Sequence, residues 1–529
     1  MTLSRRELLQ ASLIAGLWRP AELAAQSSVT SDVIAETTTG RIRGVDIDGV
    51  NVFKGVPYAG NVDGPGRFLP PPPVERWTGL RDCTKTGARA IQAPGVLFMN
   101  PLIGEYFGGG RSDRAKLAEQ TESENCLNLN VLTPGLTGRR AVMVYIHGGG
   151  FTGGSNVLTA FSDRFVREND VVLVGVNHRL NMFGYLYLGA FSEKYADSGN
   201  VGQLDLVAAL RWVRDNIVRF GGDPGNVTIF GESGGGAKVS ALLAMPSAKG
   251  LFHRAIVESG SPLSATTTDA ATRAAKAALD KLGLTAEQLG HLHTMPLETL
   301  RTAGGGSGAV MDGRSVPLQT WTPGAPATAA GIPMIIGNCK DESTLFSRQT
   351  PALFTLDMSG LREQVVQGGV PASAVDELIA FYQRDYPSDS PSDIYFRIST
   401  DRGARMNAIS QAERKVAQGS GAVYMYYFAW NTPIADGKMA IKAFHTAELP
   451  LAMRLTRYPE TEPLSRQIAG AWAAFAKTGR PTHAALPDWP AYDITRRATM
   501  VFDLPSHIVN DPNRDERMAL KKFPSGRLL

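Results

Sequence analysis

Between residues 141 and 338 the chain repeats short, almost wholly apolar runs rich in Val and Ile. They are "AVMVYIH" (141–147), "VVLVGVNH" (171–178), "NVTIFG" (226–231), "AIVES" (255–259) and "PMIIGN" (333–338). A strand with one face in water alternates apolar and polar residues. A run without that alternation is a strand buried on both faces. Between the second and third runs lies "QLDLVAALRWVRDNIVRFG" (203–221), apolar at helical spacing. Strands alternating with helices predict an α/β architecture, a mostly parallel central sheet with helices on both faces. Earlier, "TTTGRIRGVDIDGVNVFKGVPYA" (37–59) alternates and turns, which predicts antiparallel edge strands. "AGGGSGA" (303–309) reads as a surface loop or hinge, and residues 345–443, richer in helical pattern, read as part of a cap. No internal repeat is visible and no linker divides the chain, so residues 26–529 are read as a single domain.

Composition narrows the class. The chain has 529 residues, 43% of them hydrophobic, enough for a large core. Its net charge of +4 is dispersed, with no Lys/Arg run beyond "RRELL" (5–9), so a nucleic-acid footprint is absent. No apolar stretch reaches the length of a membrane span. The three cysteines, Cys83, Cys126 and Cys339, are widely spaced and form neither a disulfide framework nor a metal-ligand pattern. No cofactor signature is present.

The first residues have the parts of an export signal. Arg5 and Arg6 precede an apolar run, Ala11 to Trp18, and a small-residue segment, Ala21 to Ala25, follows. Paired arginines predict the twin-arginine export machinery, cleavage near Ala25, and a periplasmic or secreted protein. That route carries folded proteins, so the fold is expected not to depend on disulfides.

"FGESGGGAKVS" (230–240) carries the first chemical signal. It can be read as a phosphate-binding loop, but Lys238 stands one residue late and Val239 occupies the position of the metal-binding hydroxyl. Gly231, Ser233 and Gly235 instead spell G-x-S-x-G, a strained strand-to-helix turn that exposes a serine and needs small neighbours. The β-rich "NVTIF" before it and the helically spaced "GAKVSALLAM" after it fit that turn.

A serine nucleophile needs a base, an acid to orient the base, and donors for an oxyanion. "YIHGGGFTGGS" (145–155) supplies successive glycines after a strand, whose N–H groups, with that of Gly234, could cradle a developing charge. Among the eight histidines, His147 and His178 precede the serine. His253, His291 and His293 leave little room for an intervening acid, and His483 and His507 lie in the C-terminal tail. His445, in "KAFHTAELPL", lies on a loop after a long helical segment. The acid candidates after the strand in "IIGNCKDESTLF" are Glu342 and its neighbour Asp341, and spacing does not choose between them.

These segments, with "RFLPPPPVERWTG" (67–79), "SENCLNLNV" (123–131) and "WAAFAKTGRP" (472–481), occur in the order of a known family. The chain resembles the type-B carboxylesterases, the cholinesterase-like serine esterases, over roughly residues 30 to 500. The resemblance implies an α/β-hydrolase fold with antiparallel N-terminal edge strands and a helical cap. It also implies a Ser233, Glu342, His445 triad, an oxyanion hole from Gly149, Gly150 and Gly234, and supporting acids at Glu232 and Glu448. Three departures stand out. Asn125 replaces the family's aspartate before Cys126. "GARAIQAP" (87–94) lacks the family's partner cysteine, which implies a free, buried Cys126. Residues 95–121 hold no tryptophan, so no choline ester is inferred.

The expectation is therefore a serine carboxylesterase acting on a small-molecule ester through an acyl-enzyme, without cofactor or metal. An amide or carbamate hydrolase with the same triad is the alternative. A non-catalytic adhesion module of the same fold is the third reading, disfavoured because such modules lack the nucleophile.

Overall fold

The apolar runs are strands, and they lie side by side in one sheet. The computed structural model describes residues 31–93, 106, 120–306, 308–437, 439–455 and 458–523. The expected export signal, residues 1–25, falls outside them, as does the segment 95–121 apart from Tyr106, Gln120 and Thr121.

Across the sheet the first six strands are Asp32–Glu36, Arg41–Ile47, Val50–Pro57, Asn128–Thr133, Val172–Val176 and Arg140–Ile146. The order continues through Gly222–Glu232, Arg254–Glu258, Met334–Cys339, Val423–Phe428, Ala498–Phe502 and His507–Asn510. A short strand, Leu80–Asp82, flanks Arg41–Ile47. From Val172–Val176 to Ala498–Phe502 every neighbouring pair is parallel. Apart from Leu80–Asp82, which runs parallel to its neighbour, the N-terminal strands pair antiparallel, as the turn-rich start of the chain predicts, and so does the final strand.

Alternate residues of each central strand enter different cores. Val142, Val144, Ile146, Val227 and Ile229 pack with Leu206, Leu210 and Val213 of helix Val201–Asn216 and Val239 of helix Gly234–Leu242. Met143, Tyr145, Phe230 and Ile256 pack on the opposite face with Ile468, Trp472 and Phe475 of helix Glu462–Thr478. Each such side chain contributes about 1.5–3 kcal/mol of burial, so neither face can be left uncovered. This double burial is why the strands read as continuous apolar runs.

Two expectations need correcting. The segment 345–443 is not wholly a cap: Val423–Phe428 within it is a buried strand of the central sheet. Its sequence, VYMYYF, is apolar throughout, and periodicity cannot separate such a run from a buried helix. Most of the rest is helical: Met358–Gln367, Ala372–Asp385 and Pro391–Thr400 build a small core of their own around Leu361, Ile379, Tyr382 and Ile394, whereas Met406–Ala417 packs into the main core through Ala408, Ile409 and Ala412. A two-stranded hairpin, Ala435–Asp436 with Met439–Ala440, follows the buried strand. Likewise His507, expected in a tail, opens the edge strand His507–Asn510.

Among the described residues no helix is long and apolar enough to cross a membrane.

Candidate active site

Gly149, Gly150, Ser233 and Glu342 sit just past the C-terminal ends of parallel strands, where an open α/β sheet leaves a crevice, and a loop brings His445 to them. Strand Gly222–Glu232 ends at Ser233, and helix Gly234–Leu242 begins at the next residue. Ser233 turns the chain at φ 58°, ψ −124°, a left-handed conformation that costs energy for a residue with a Cβ. The turn is possible because the residues two before and two after Ser233 have no side chains. A Cβ on Gly231 would lie 2.6 Å from the backbone of Gly235, and one on Gly235 would lie 2.0 Å from the carbonyl oxygen of Ile146. The G-x-S-x-G spacing is thus a packing requirement.

Ser233 Oγ lies 2.7 Å from Nε2 of His445. Nδ1 of the same ring is hydrogen-bonded to Oε2 of Glu342, and Oε1 of Glu342 accepts the N–H of Cys339 at 2.7 Å. The carboxylate is thereby clamped between a fixed backbone donor and the imidazole. The helix that Glu342 opens is tied in turn to helix Pro391–Thr400, where the hydroxyl of Ser343 donates to the carbonyl of Phe396 at 3.1 Å. Asp341, one residue earlier, is turned away: its Oδ2 accepts the N–H of Ala443 at 3.2 Å. The structure thus brings Ser233, His445 and Glu342 together and leaves Asp341 outside. His445 itself is held on a loop against Tyr106, whose hydroxyl donates to the carbonyl of Ala447 at 2.8 Å.

Gly149 and Gly150 follow strand Arg140–Ile146 and lie beside the elbow, with the Gly150 carbonyl 2.1 Å from where a Cβ on Gly234 would sit. Both have positive φ, 87° and 61°, accessible to glycine without strain. Neither N–H is used in a backbone hydrogen bond among the described residues. The N–H of Gly234 is the first of its helix, which has no intrahelical acceptor and carries the positive end of the helix dipole. These groups can receive an oxyanion without breaking existing bonds.

Four glutamates are buried around the one histidine: Glu232, Glu258, Glu342 and Glu448. Glu232 Oε1 is 3.3 Å from His445 Nε2. Burial alone would lower the His445 pKa, but the facing carboxylates of Glu232 and Glu342 more than offset it and raise the pKa to about 9. Burial pushes the Glu232 carboxyl well above the carboxylate range, against the opposing pull of His445. Glu448 does not touch the imidazole. It accepts from Cys339 Sγ at 2.8 Å, Tyr426 Oη at 2.9 Å and Ser259 Oγ at 3.4 Å. Glu258 accepts from Trp472 Nε1 at 3.1 Å, and burial raises its pKa to about 8.

Sequence reasoning missed Cys339, Tyr426, Glu258 and Trp472. Cys339 and Trp472 stand within "IIGNCKDESTLF" and "WAAFAKTGRP", where nothing local assigns them a role, Tyr426 is one of several apolar-strand aromatics, and the only signal for Glu258 is a carboxylate closing the apolar strand Arg254–Glu258. The three cysteines are free and buried. Among the described residues no three His, Cys, Asp or Glu side chains are grouped to hold a metal ion.

The sequence model of the carboxylesterase family matches residues 31–520. The para-nitrobenzyl esterase of Bacillus subtilis (strain 168) is 35% identical over 518 residues, covering 93% of this chain and 99% of that protein. The phenmedipham hydrolase of Pseudarthrobacter oxydans is 31% identical over 520 residues, covering 92% and 99%. Among solved structures, the carboxylesterase EST55 of Geobacillus stearothermophilus, at pH 6.2, superposes with a TM-score of 0.79 at 37% identity, covering 92% of this chain and 99% of that one.

Proposed function

The chain belongs to the carboxylesterase family, has its α/β-hydrolase fold and is a carboxylic ester hydrolase, and from that premise we propose that it works through a Ser233 acyl-enzyme. The observation that carries the proposal is the relay from Ser233 Oγ through both nitrogens of His445 to Glu342, with 2.7 Å between serine and imidazole.

His445, neutral and with its proton on Nδ1, takes the Ser233 proton on Nε2 as Oγ attacks the ester carbonyl. Glu342 holds that tautomer and stabilises the imidazolium. The N–H groups of Gly149, Gly150 and Gly234 receive the oxyanion. The tetrahedral intermediate collapses as His445 protonates the leaving alcohol, which leaves the acyl group on Ser233. Water, deprotonated by the same nitrogen, then attacks the acyl-enzyme, and collapse of the second intermediate returns the proton to Ser233. Glu232, beside Nε2, and Glu448, behind Cys339 and Tyr426, bias the protonation of this ring. The substrate class is a small-molecule ester. The named activities of the relatives, on a para-nitrobenzyl ester in one and on phenmedipham in another, support that breadth.

A fluorophosphonate probe tests the assignment. The wild-type chain is expected to be labelled stoichiometrically and to hydrolyse p-nitrophenyl esters. Ser233→Ala is expected to lose the label and about 10⁴-fold or more of kcat while melting at an unchanged temperature. More than a tenth of wild-type turnover in that variant removes Ser233 from the role.

Export by the twin-arginine route to the periplasm or beyond belongs to the same proposal, on the strength of Arg5, Arg6 and the apolar run that follows. Arg5→Lys together with Arg6→Lys is expected to leave the precursor in the cytoplasm, and undiminished export of that variant excludes the route.

A further inference from the structure

Lys238 has no part in the mechanism above, yet it is buried five residues beyond the nucleophile, on the helix that starts at Gly234. Its Nζ donates to two backbone carbonyls, that of Gly150 at 2.7 Å and that of His147 at 3.2 Å. The ring of Phe151 is 5.3 Å away. Among the described residues no carboxylate forms an ion pair with it. A buried ammonium without a counter-ion is costly, and a Met would fill the same space without that cost. Burial accordingly brings the Lys238 pKa down to about 7. Both of its acceptors belong to one loop, the one that carries the Gly149 and Gly150 N–H groups.

We propose that Lys238 is a positioning residue for ester hydrolysis, pinning the oxyanion loop by the carbonyls of His147 and Gly150 so that the Gly149 and Gly150 N–H groups stay turned toward Ser233. The proposal rests on the serine-esterase reading above.

The accounting of the loop's carbonyls supports it. In a planar trans peptide the C=O and the following N–H point in opposite directions, so anchoring a carbonyl aims the next N–H. The Gly148 carbonyl accepts from His147 Nδ1–H at 2.9 Å, which aims the Gly149 N–H. The Gly149 carbonyl accepts from the Gly153 N–H at 3.0 Å, which aims the Gly150 N–H. The carbonyls at the two ends of this run, His147 and Gly150, are those held by Lys238. The residues between them are glycines, which have no conformational preference strong enough to hold the loop by themselves. Without Lys238 both end carbonyls lose their donor in a buried setting, and the loop keeps only its two internal anchors, at the Gly148 and Gly149 carbonyls, so the glycine run as a whole can shift relative to Ser233.

Lys238→Met removes both donors at nearly constant volume, and Lys238→Gln keeps an amide N–H. Both are compared with the wild-type chain on p-nitrophenyl butyrate and for inhibition by an alkyl trifluoromethyl ketone, whose hemiketal oxyanion occupies the hole. Lys238→Met is expected to lower kcat about 10–100-fold with KM within about twofold. The ketone should bind more weakly by the same factor, and Lys238→Gln should recover part of both. A folded Lys238→Met that keeps half of wild-type kcat overturns the proposal. So does a loss confined to KM with ketone affinity unchanged, as from general loosening. If Lys238→Met does not fold, Lys238→Gln decides on the same criteria: parallel losses in kcat and ketone affinity support the proposal, and wild-type values overturn it. A wild-type chain that neither turns over the ester nor takes a fluorophosphonate overturns the serine-esterase reading and this proposal with it. Normal wild-type turnover with an unaffected variant overturns this proposal alone.

Discussion

Replacing Glu342 by Gln separates charge from shape at the acid, because the two oxygens of this carboxylate have different partners. Oε1 accepts the N–H of Cys339 at 2.7 Å and Oε2 accepts from Nδ1 of His445. A carboxamide has one acceptor end and one donor end. If its oxygen turns to Cys339, its NH2 group faces Nδ1 and selects the tautomer with the proton on Nε2. That imidazole cannot accept from Ser233. If the oxygen turns to His445 instead, the NH2 meets the Cys339 N–H and leaves a buried donor unpaired, a cost of about 1–3 kcal/mol. In both orientations the stabilising charge is gone. Opposite unit charges about 4 Å apart at an effective dielectric of about 20 attract by about 4 kcal/mol. At about 1.4 kcal/mol per decade that is about three orders of magnitude in rate. A wrongly chosen tautomer in a comparable triad costs about 10⁴-fold. The expected loss of kcat/KM is therefore about 10³-fold, and at least about 10²-fold.

Asp341→Asn is the control. Its Oδ2 accepts the Ala443 N–H at 3.2 Å and lies 3.7 Å from Lys340 Nζ, and an Asn oxygen can keep the first contact. Its loss should stay below about tenfold, since only a partly solvated ion pair changes. The assay is initial-rate hydrolysis of p-nitrophenyl butyrate by both variants and wild type, at a pH where near-UV circular dichroism shows all three folded. Equal losses, or a larger loss in Asp341→Asn, would refute the assignment of Glu342 and the clamp argument with it.

Because the base works only when neutral and its pKa is raised to about 9, kcat/KM on a neutral ester should fall as pH drops through a single step lying above the ordinary histidine value. Glu232→Gln removes a neighbour that favours the imidazolium, so the step should move to lower pH, and by more than in Glu448→Gln, whose side chain does not touch the ring. A profile flat from pH 5 to 8 removes His445 from the base role. Gly235→Ala puts a Cβ 2.0 Å from the Ile146 carbonyl oxygen, where only backbone can give way. A loss of about 1–3 kcal/mol or more follows, read as a lower urea midpoint, and an unchanged midpoint contradicts the packing account of the elbow. Titration of denatured, unreduced protein should find three thiols, while the native protein should react slowly, since all three are buried and burial pushes Cys83 up to about 12. One thiol instead of three would show a disulfide.

What could be read along the chain was what depends on near neighbours. The doubly buried strands are legible because a strand covered on both faces has no polar position to keep. The elbow is legible because a strained serine between a strand and a helix excludes side chains at fixed offsets, and Gly231 and Gly235 obey that rule through contacts of 2.0–2.6 Å. Strand Asn128–Thr133 is less legible, because its polar residues are satisfied from elsewhere: Asn130 Oδ1 accepts the N–H of Gly55, 75 residues away. Val423–Phe428 is hidden among helices for the converse reason, since it has no polar residue to set a period.

The choice between Asp341 and Glu342 could not come from spacing, because one residue of rotation at the start of helix Glu342–Ser347 decides which carboxylate meets a histidine 103 residues further on. The resemblance to a family chose Glu342, and the fold brings it to His445. The burial of Lys238 is a fact of the tertiary structure alone. In sequence it looked like a misplaced phosphate-loop lysine. Only the packing of its helix against the loop after strand Arg140–Ile146 gives it two carbonyls to hold. The chain's local order determined which backbone shapes were possible. The assembly of the sheet decided which charges share one buried site, because electrostatic partners in a low-dielectric crevice are set by distance in space, and that distance has no counterpart along the sequence.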